Sequence, residues 1–244
     1  MTGEIPLLIV LLILFIAALV RSTFGFGDAI VGMPLLALIV PMKIATPLMG
    51  FMGPTLALPL LVREWRHLHP RSAIRLILAT LAGIPVGLFY LRDANERVVT
   101  AVLAAVIILF SLYSLFRPGL LRLRSDRAAL PFGFAAGILG AAYNANGPPV
   151  VFYGALRGWK PERFRATLQG YFLPTGAAVA VSQGIAGFWT KPVFWTYVYS
   201  LPLVVLAIFI GSKFRRKIPE QKFNRVIYGL LLVVGAGLLI KAIG

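Results

Sequence analysis

The chain has 244 residues, of which 59% are hydrophobic and only 13% charged, and its mean hydropathy is +0.87. This composition excludes an ordinary soluble globular domain and favours a membrane protein. Cysteine is absent, so disulfides and thiol chemistry are excluded as well.

Apolar runs alternate with short polar loops along the whole chain. Several of the runs are 17–23 residues long, enough to cross a hydrocarbon core of about 30 Å as a helix. None shows the alternation of a barrel strand, and we therefore predict an all-α polytopic membrane protein. In chain order the runs are Ile5–Val20, Ala29–Val40, Ile44–Val62, Ile74–Leu91, Val98–Phe116, Leu130–Ala142, Val150–Leu156, Ala166–Phe188, Val193–Ile210 and Val226–Ile240.

The basic residues are concentrated in a few loops. Although the formal net charge is +16, 18 of the 24 Lys and Arg lie in four loops, Arg63–Arg75, Arg117–Arg127, Arg157–Arg165 and Lys213–Arg225. Basic loops of this kind stay on the cytoplasmic side of a membrane. We therefore predict a multi-pass protein of a bacterial inner membrane, with these loops inside, both termini outside and no nucleic-acid partner.

Two breaks in the apolar pattern resemble each other at an offset of 120 residues. The first is Thr23–Asp28 and the second Tyr143–Pro148. Five identities share the register, Gly27/Gly147, Pro41/Pro161, Gly50/Gly170, Pro54/Pro174 and Thr55/Thr175. This indicates an internal duplication. We predict two transmembrane repeats, residues 1–125 and 126–244, each a broken or re-entrant helical hairpin plus three transmembrane helices. The loop charges give the two repeats inverted topology.

The second hairpin is too short to cross the membrane twice. Leu130–Ala142 has 13 residues, about 20 Å of helix. We expect a re-entrant hairpin whose tip lies near mid-membrane, with the first hairpin entering from the other side. Irregular backbone at that depth must be buried in protein or line a wet cavity, so we expect the two tips to meet.

The residues at the breaks suit a small anion. We expect new helices to begin at Ala29 and Pro149, with unpaired N–H groups and the positive end of the helix dipole facing the cavity. Glycine would let the anion approach the backbone, although packing is the alternative role of these glycines. The candidate substrate-binding residues are Arg21, Ser22, Thr23, Gly25, Phe26, Gly27, Asp28, Ala29, Asn144, Asn146, Gly147, Pro148, Gln169 and Tyr171.

Three of these candidates have more than one interpretation. Asp28 is in position to cap the helix that starts at Ala29, or to carry a coupling proton. Arg21 either attracts the anion or neutralises Asp28. Gln169 either lines the cavity or bonds to a neighbouring helix.

The motifs at the two breaks also resemble a known family. GFG-x-x-I-x-G-x-P (Gly25–Pro34) and N-G-P-P (Asn146–Pro149) are similar to motifs of the TauE/SafE family, as are Gly83–Gly87 and Glu220. Family members usually carry glycine at the position of Asp28. The resemblance implies an inner-membrane permease for sulfite, organosulfonates or related anions.

Together these observations predict a secondary transporter of a small anion, most simply sulfite or an organosulfonate. No nucleotide-binding G-x-x-x-x-G-K-[ST] motif occurs, so transport would depend on an ion gradient or on the substrate itself. An anion channel and a permease for a small carboxylate are the alternatives. We expect no enzymatic activity, no cofactor and no metal. The expected partners are the anion, the lipid bilayer and, as an option, further copies of the chain.

Overall fold

The computed structural model describes residues 6–64, 66, 68, 70–116, 123, 125–159 and 161–214, together with 229, 232, 233, 235–240 and 242. Of the Arg117–Arg127 loop, only residues 123 and 125–127 are therefore described. Most of the Lys213–Arg225 loop, including Glu220, and six residues of the Val226–Ile240 run lie outside the described residues.

Within the described residues, the secondary structure is entirely helical. The α-helices are α1 (Leu7–Phe24), α2 (Asp28–Ile39), α3 (Met42–Glu64), α4 (Pro70–Asp93), α5 (Glu96–Phe116), α6 (Ala129–Tyr143), α7 (Gly147–Leu156), α8 (Pro161–Ile185) and α9 (Lys191–Phe214), with one turn of 3-10 helix at Asp126–Ala128. Five of them, α1, α3, α4, α5 and α9, are long and apolar enough to cross a membrane. The prediction of a helical membrane protein is confirmed.

The helices around the two breaks have unequal lengths. α1 has 18 residues, whereas α6 has 15 and α7 has 10. At 1.5 Å per residue α6 and α7 measure roughly 22 and 15 Å, so neither spans a core of about 30 Å. α1 reaches about 27 Å and is itself a candidate span.

The order of helices repeats along the chain. Helices α6 to α9 begin between 119 and 122 residues after α1 to α4, respectively. Helices of one half pack mainly on helices of the other half. α4 packs along α6, α1 packs along α9, and α3 packs on α8. The largest apolar cluster includes Leu14, Met33, Leu48 and Leu103 and so joins α1, α2, α3 and α5.

Glycine brings α4 and α6 into backbone contact. A Cβ atom on Gly83 or Gly87 would collide with a backbone carbonyl oxygen of α6, and one on Gly133 or Gly137 with a carbonyl oxygen of α4. Gly83 and Gly87, like Gly133 and Gly137, thus form G-x-x-x-G pairs that allow close helix packing. Gly83 and Gly87 contact residues of α6 in ascending order, Phe134 before Ile138, so the two helices run parallel.

Candidate functional site

The first break begins where two glycines take a left-handed conformation. α1 ends at Phe24, and Gly25 (φ 86°) donates its N–H to the carbonyl of Arg21 over 2.6 Å. Gly27 (φ 101°) then precedes the first residue of α2. A side chain is strained at either position, so the sequence Gly-Phe-Gly lets the chain stop one helix and start the next within three residues.

A buried ion pair spans this break. The Nη1 atom of Arg21 lies 2.7 Å from Oδ2 of Asp28, and the two side chains are only 3% and 10% exposed. Because α2 begins at Asp28 and Gly27 is its N-cap residue, with no side-chain cap bond, the predicted capping role of Asp28 and the predicted start at Ala29 are wrong. The alternative prediction, that Arg21 neutralises Asp28, is confirmed.

Gln169 connects α8 to both parts of the break. Its Oε1 atom accepts a hydrogen bond from Nη2 of Arg21 over 3.3 Å, and its Nε2 donates to the carbonyl oxygen of Gly25. Of the two predicted roles, bonding to a neighbouring helix is the one observed. The guanidinium carbon of Arg21 also lies 4.8 Å from the ring centre of Phe172, a cation–π distance. Thus α8 holds the first break through an amide and an aromatic ring.

The remaining candidates at the first break lie in differing surroundings. The hydroxyls of Ser22 and Thr23 donate to the carbonyls of Ala18 and Leu19 within α1, over 2.7 and 2.8 Å. Ser22 packs against Gly211 of α9. Phe26 packs edge-on against the ring of Phe164 with centroids 6.3 Å apart, and Ala29 packs against the largest apolar cluster.

The second break is built around asparagine. Asn144 ends α6 with a left-handed backbone (φ 51°), a conformation that asparagine tolerates better than most residues. Its Nδ2 donates to the carbonyl of Thr46 on α3. Asn146 precedes α7, which starts at Gly147 and not at Pro149 as predicted, and its side chain neighbours the Tyr171 hydroxyl. The Tyr171 hydroxyl also lies 2.8 Å from Oγ1 of Thr80.

The two breaks offer different numbers of backbone donors. The first N–H groups of any helix have no partner inside it, and those of α2 belong to Gly27, Asp28, Ala29 and Ile30. In α7 the second and third positions are Pro148 and Pro149, which have no N–H. The first break is therefore the better backbone site for an anion.

Phe172 lies between the two breaks. Its ring faces Arg21 of the first break, and a Cβ atom on Gly147 of the second would lie 3.7 Å from its Cζ. Gly147 does not have a positive φ, so its backbone conformation does not require glycine at this position. The breaks thus share one aromatic neighbour on α8.

Sequence reasoning missed three residues at the breaks. Arg165 of α8 places its Cγ and Cδ 3.5 Å from where a Cβ of Gly25 would be. Gln183 is fully buried and its Nε2 donates to the carbonyl of Ala141 over 3.4 Å. The third is Phe172. The spacing of Arg165 four residues before Gln169, on one helix face, was the available signal.

A second polar cluster lies where α4 meets the start of the second half. Asp126 lies 2.7 Å from Nη2 of Arg157 and 3.8 Å from Nη1 of Arg75, and it accepts a hydrogen bond from Ser72 over 3.3 Å. These ion pairs are partly exposed and connect the end of α7 to α4. They are not part of either break. Among the described residues no three of His, Asp and Glu are grouped as a metal ion would require.

The five described helices that are long and apolar enough to cross a membrane define a multi-pass helical membrane protein, and paired breaks with buried polar residues are an arrangement typical of transporters. The family profile described as sulfite exporter TauE/SafE matches residues 10–238, and the chain belongs to this family. A relative from Cupriavidus necator, named "Probable sulfite/organosulfonate exporter TauE", is 26% identical over 227 residues, covering 90% of this chain and 88% of the relative. No solved structure matches the chain.

Proposed function

We propose that this chain is a secondary transporter of a small sulfur oxyanion, sulfite or an organosulfonate, in a bacterial inner membrane. The family and the name of the Cupriavidus necator relative support the substrate class. The basic loops support the inner-membrane location. On this proposal the protein is a carrier and has no enzymatic activity.

The substrate site on this proposal is the first break, beside the N-terminus of α2. The observation that carries it is the buried pair of Arg21 and Asp28. An isolated carboxylate at this position would repel an anion, but pairing with the guanidinium cancels that charge. The dipole end of α2 and its N–H groups then dominate the local field, and Arg165 of the neighbouring helix α8 contacts Gly25 with its aliphatic stem.

The same pair suggests how a proton would be coupled to the anion. Protonation of Asp28 would end its ion pair and leave Arg21, still held by Gln169 and Phe172, to bind the oxyanion in its place. Among the described residues, Arg21 on α1 is the charged group paired with Asp28, and the aliphatic stem of Arg165 on α8 lies beside Gly25, three residues before Asp28. Proton and anion would therefore bind together, which deepens the predicted role of Asp28 in proton coupling.

The two halves, residues 1–125 and 126–244, form inverted repeats on this proposal. The repeated order of helix lengths and the packing of α4 on α6 and α1 on α9 across the two halves support it. So do the four basic loops, which would place corresponding helices in opposite directions. Alternating access would then come from rocking of the two hairpins around the breaks.

Counterflow in proteoliposomes tests the proposed function. Vesicles loaded with unlabelled sulfite should accumulate labelled sulfite transiently, and isethionate or sulfoacetate should compete while acetate should not. Competition by acetate alone would indicate a carboxylate permease. A voltage-driven conductance without trans-stimulation would indicate a channel, and either result would reject the proposal.

A further inference from the structure

We infer that the hydroxyls of Tyr90 and Tyr143 form a second contact point for the oxyanion, beside the second break. This inference rests on the proposed function. Tyr143 is the last residue of α6 and is 1% exposed, and it directly precedes Asn144 of the break. Tyr90 lies near the end of α4. Their rings meet edge to face, with centroids 6.3 Å apart and planes at 68°.

Both hydroxyl oxygens are buried, and neither has a hydrogen-bond partner among the described residues. Buried tyrosine hydroxyls normally have a partner, and others in the same part of the chain follow that rule. Tyr171 bonds to Thr80 over 2.8 Å, and Tyr153 bonds to Asp126 over 3.5 Å. The two hydroxyls therefore require an explanation, and Tyr143 lies directly beside the second break.

The position of the pair follows from the packing of α4 on α6. The helices run parallel and in backbone contact at Gly83 and Gly87 of α4. Tyr90 and Tyr143 form the next layer beyond Gly87, where α6 ends and its backbone turns into the second break. The pair therefore lies just beyond the glycine contacts, at the level where α6 ends.

The chemistry of the pair fits an oxyanion. The two hydroxyls are close enough for one to donate to the other, and neither has any other hydrogen-bond partner among the described residues. At least one of the two protons is therefore available to an outside acceptor. A sulfite or sulfonate oxygen is such an acceptor, and it accepts hydrogen bonds of the stronger, charge-assisted kind. The surrounding residues are apolar, so neutral donors would bind the anion without a buried charge of their own.

The test compares the parent with the double variant Tyr90→Phe/Tyr143→Phe in sulfite and isethionate counterflow. The matched control is Tyr199→Phe, which removes a hydroxyl from an exposed ring of α9 that stacks on Trp195. We expect the KM of the double variant to rise about ten- to a hundredfold, the range for losing hydrogen bonds to a charged group. Its thermal midpoint should stay equal or rise, because buried hydroxyls without partners are removed. The control should match the parent in both measurements.

Three results would overturn the inference. A double variant with the KM of the parent would show that the hydroxyls meet only water. Lost transport together with a lower thermal midpoint would show a structural role, and the single variants would then locate it. If the parent itself transports neither sulfite nor isethionate, the proposed function fails first and this inference fails with it.

Discussion

Replacing Asp28 with Asn should destabilise the protein strongly, because it leaves Arg21 charged and buried without its counter-ion. The guanidinium is 3% exposed and 2.7 Å from the carboxylate, and removing one member of such a pair costs about 3–5 kcal/mol. The remaining contacts of Arg21 with Gln169 and Phe172 favour the lower end of this energy range. At about 2–4 °C per kcal/mol for a chain of this size, the thermal midpoint should fall by roughly 6–12 °C.

A double-mutant cycle separates the ion pair from other effects. The assay is thermal unfolding of purified protein in detergent, for Asp28→Asn, Arg21→Gln and the double variant. Two facing amides leave no uncompensated charge, so the double variant should be more stable than either single variant, with a coupling energy of about 2 kcal/mol or more. Asp93→Asn, at an exposed position at the end of α4, is the control. If Asp28→Asn lowers the midpoint no further than Asp93→Asn, the buried pair is not what holds the first break.

Three other predictions concern transport, packing and topology. Gly147→Val should abolish most sulfite counterflow while the protein still folds, because the new side chain enters the gap beside an aromatic ring of α8; normal counterflow would make Gly147 a packing residue. Gly137→Ala should lower stability by about 1–3 kcal/mol, since its Cβ meets a carbonyl oxygen of α4, whereas Gly53→Ala should have little effect because the nearest atom is 3.9 Å away; equal midpoints would contradict the packing. Single cysteines at the exposed positions Arg71 and Arg163 should label from the same side of the membrane, and labelling from opposite sides would refute the inverted repeats.

The helical architecture was predictable because its signals are local. Apolar run length gives membrane helices, and the glycines at Gly25 and Gly27 mark a chain break that needs positive φ. G-x-x-x-G spacing is a sequence signal of close helix packing, but the sequence does not say that α4 pairs with α6 across the two halves. That partnership depends on the three-dimensional arrangement.

The site was only partly predictable, for a related reason. The capping prediction for Asp28 takes account only of the backbone next to it. A buried carboxylate is stabilised more by a cation than by a capping bond, and the cation here, Arg21, lies across the break, seven residues away. Gln169 was identified because a polar residue inside an apolar run needs a partner. Phe172 has no such signal, since an aromatic residue in an apolar run is ordinary, and Arg165 has only its spacing of four residues from Gln169, in a loop where arginine is common.

The first break itself is tested most directly by sulfite counterflow with two arginine variants of α8. Arg165 lies against Gly25, whereas Arg163, two residues earlier on the same helix, is exposed. The two variants, Arg165→Gln and Arg163→Gln, change the net charge equally. If the oxyanion binds at the first break, Arg165→Gln should raise the KM for sulfite about tenfold or more, and Arg163→Gln should leave it unchanged. Equal KM values for the two variants would contradict a substrate site at this break.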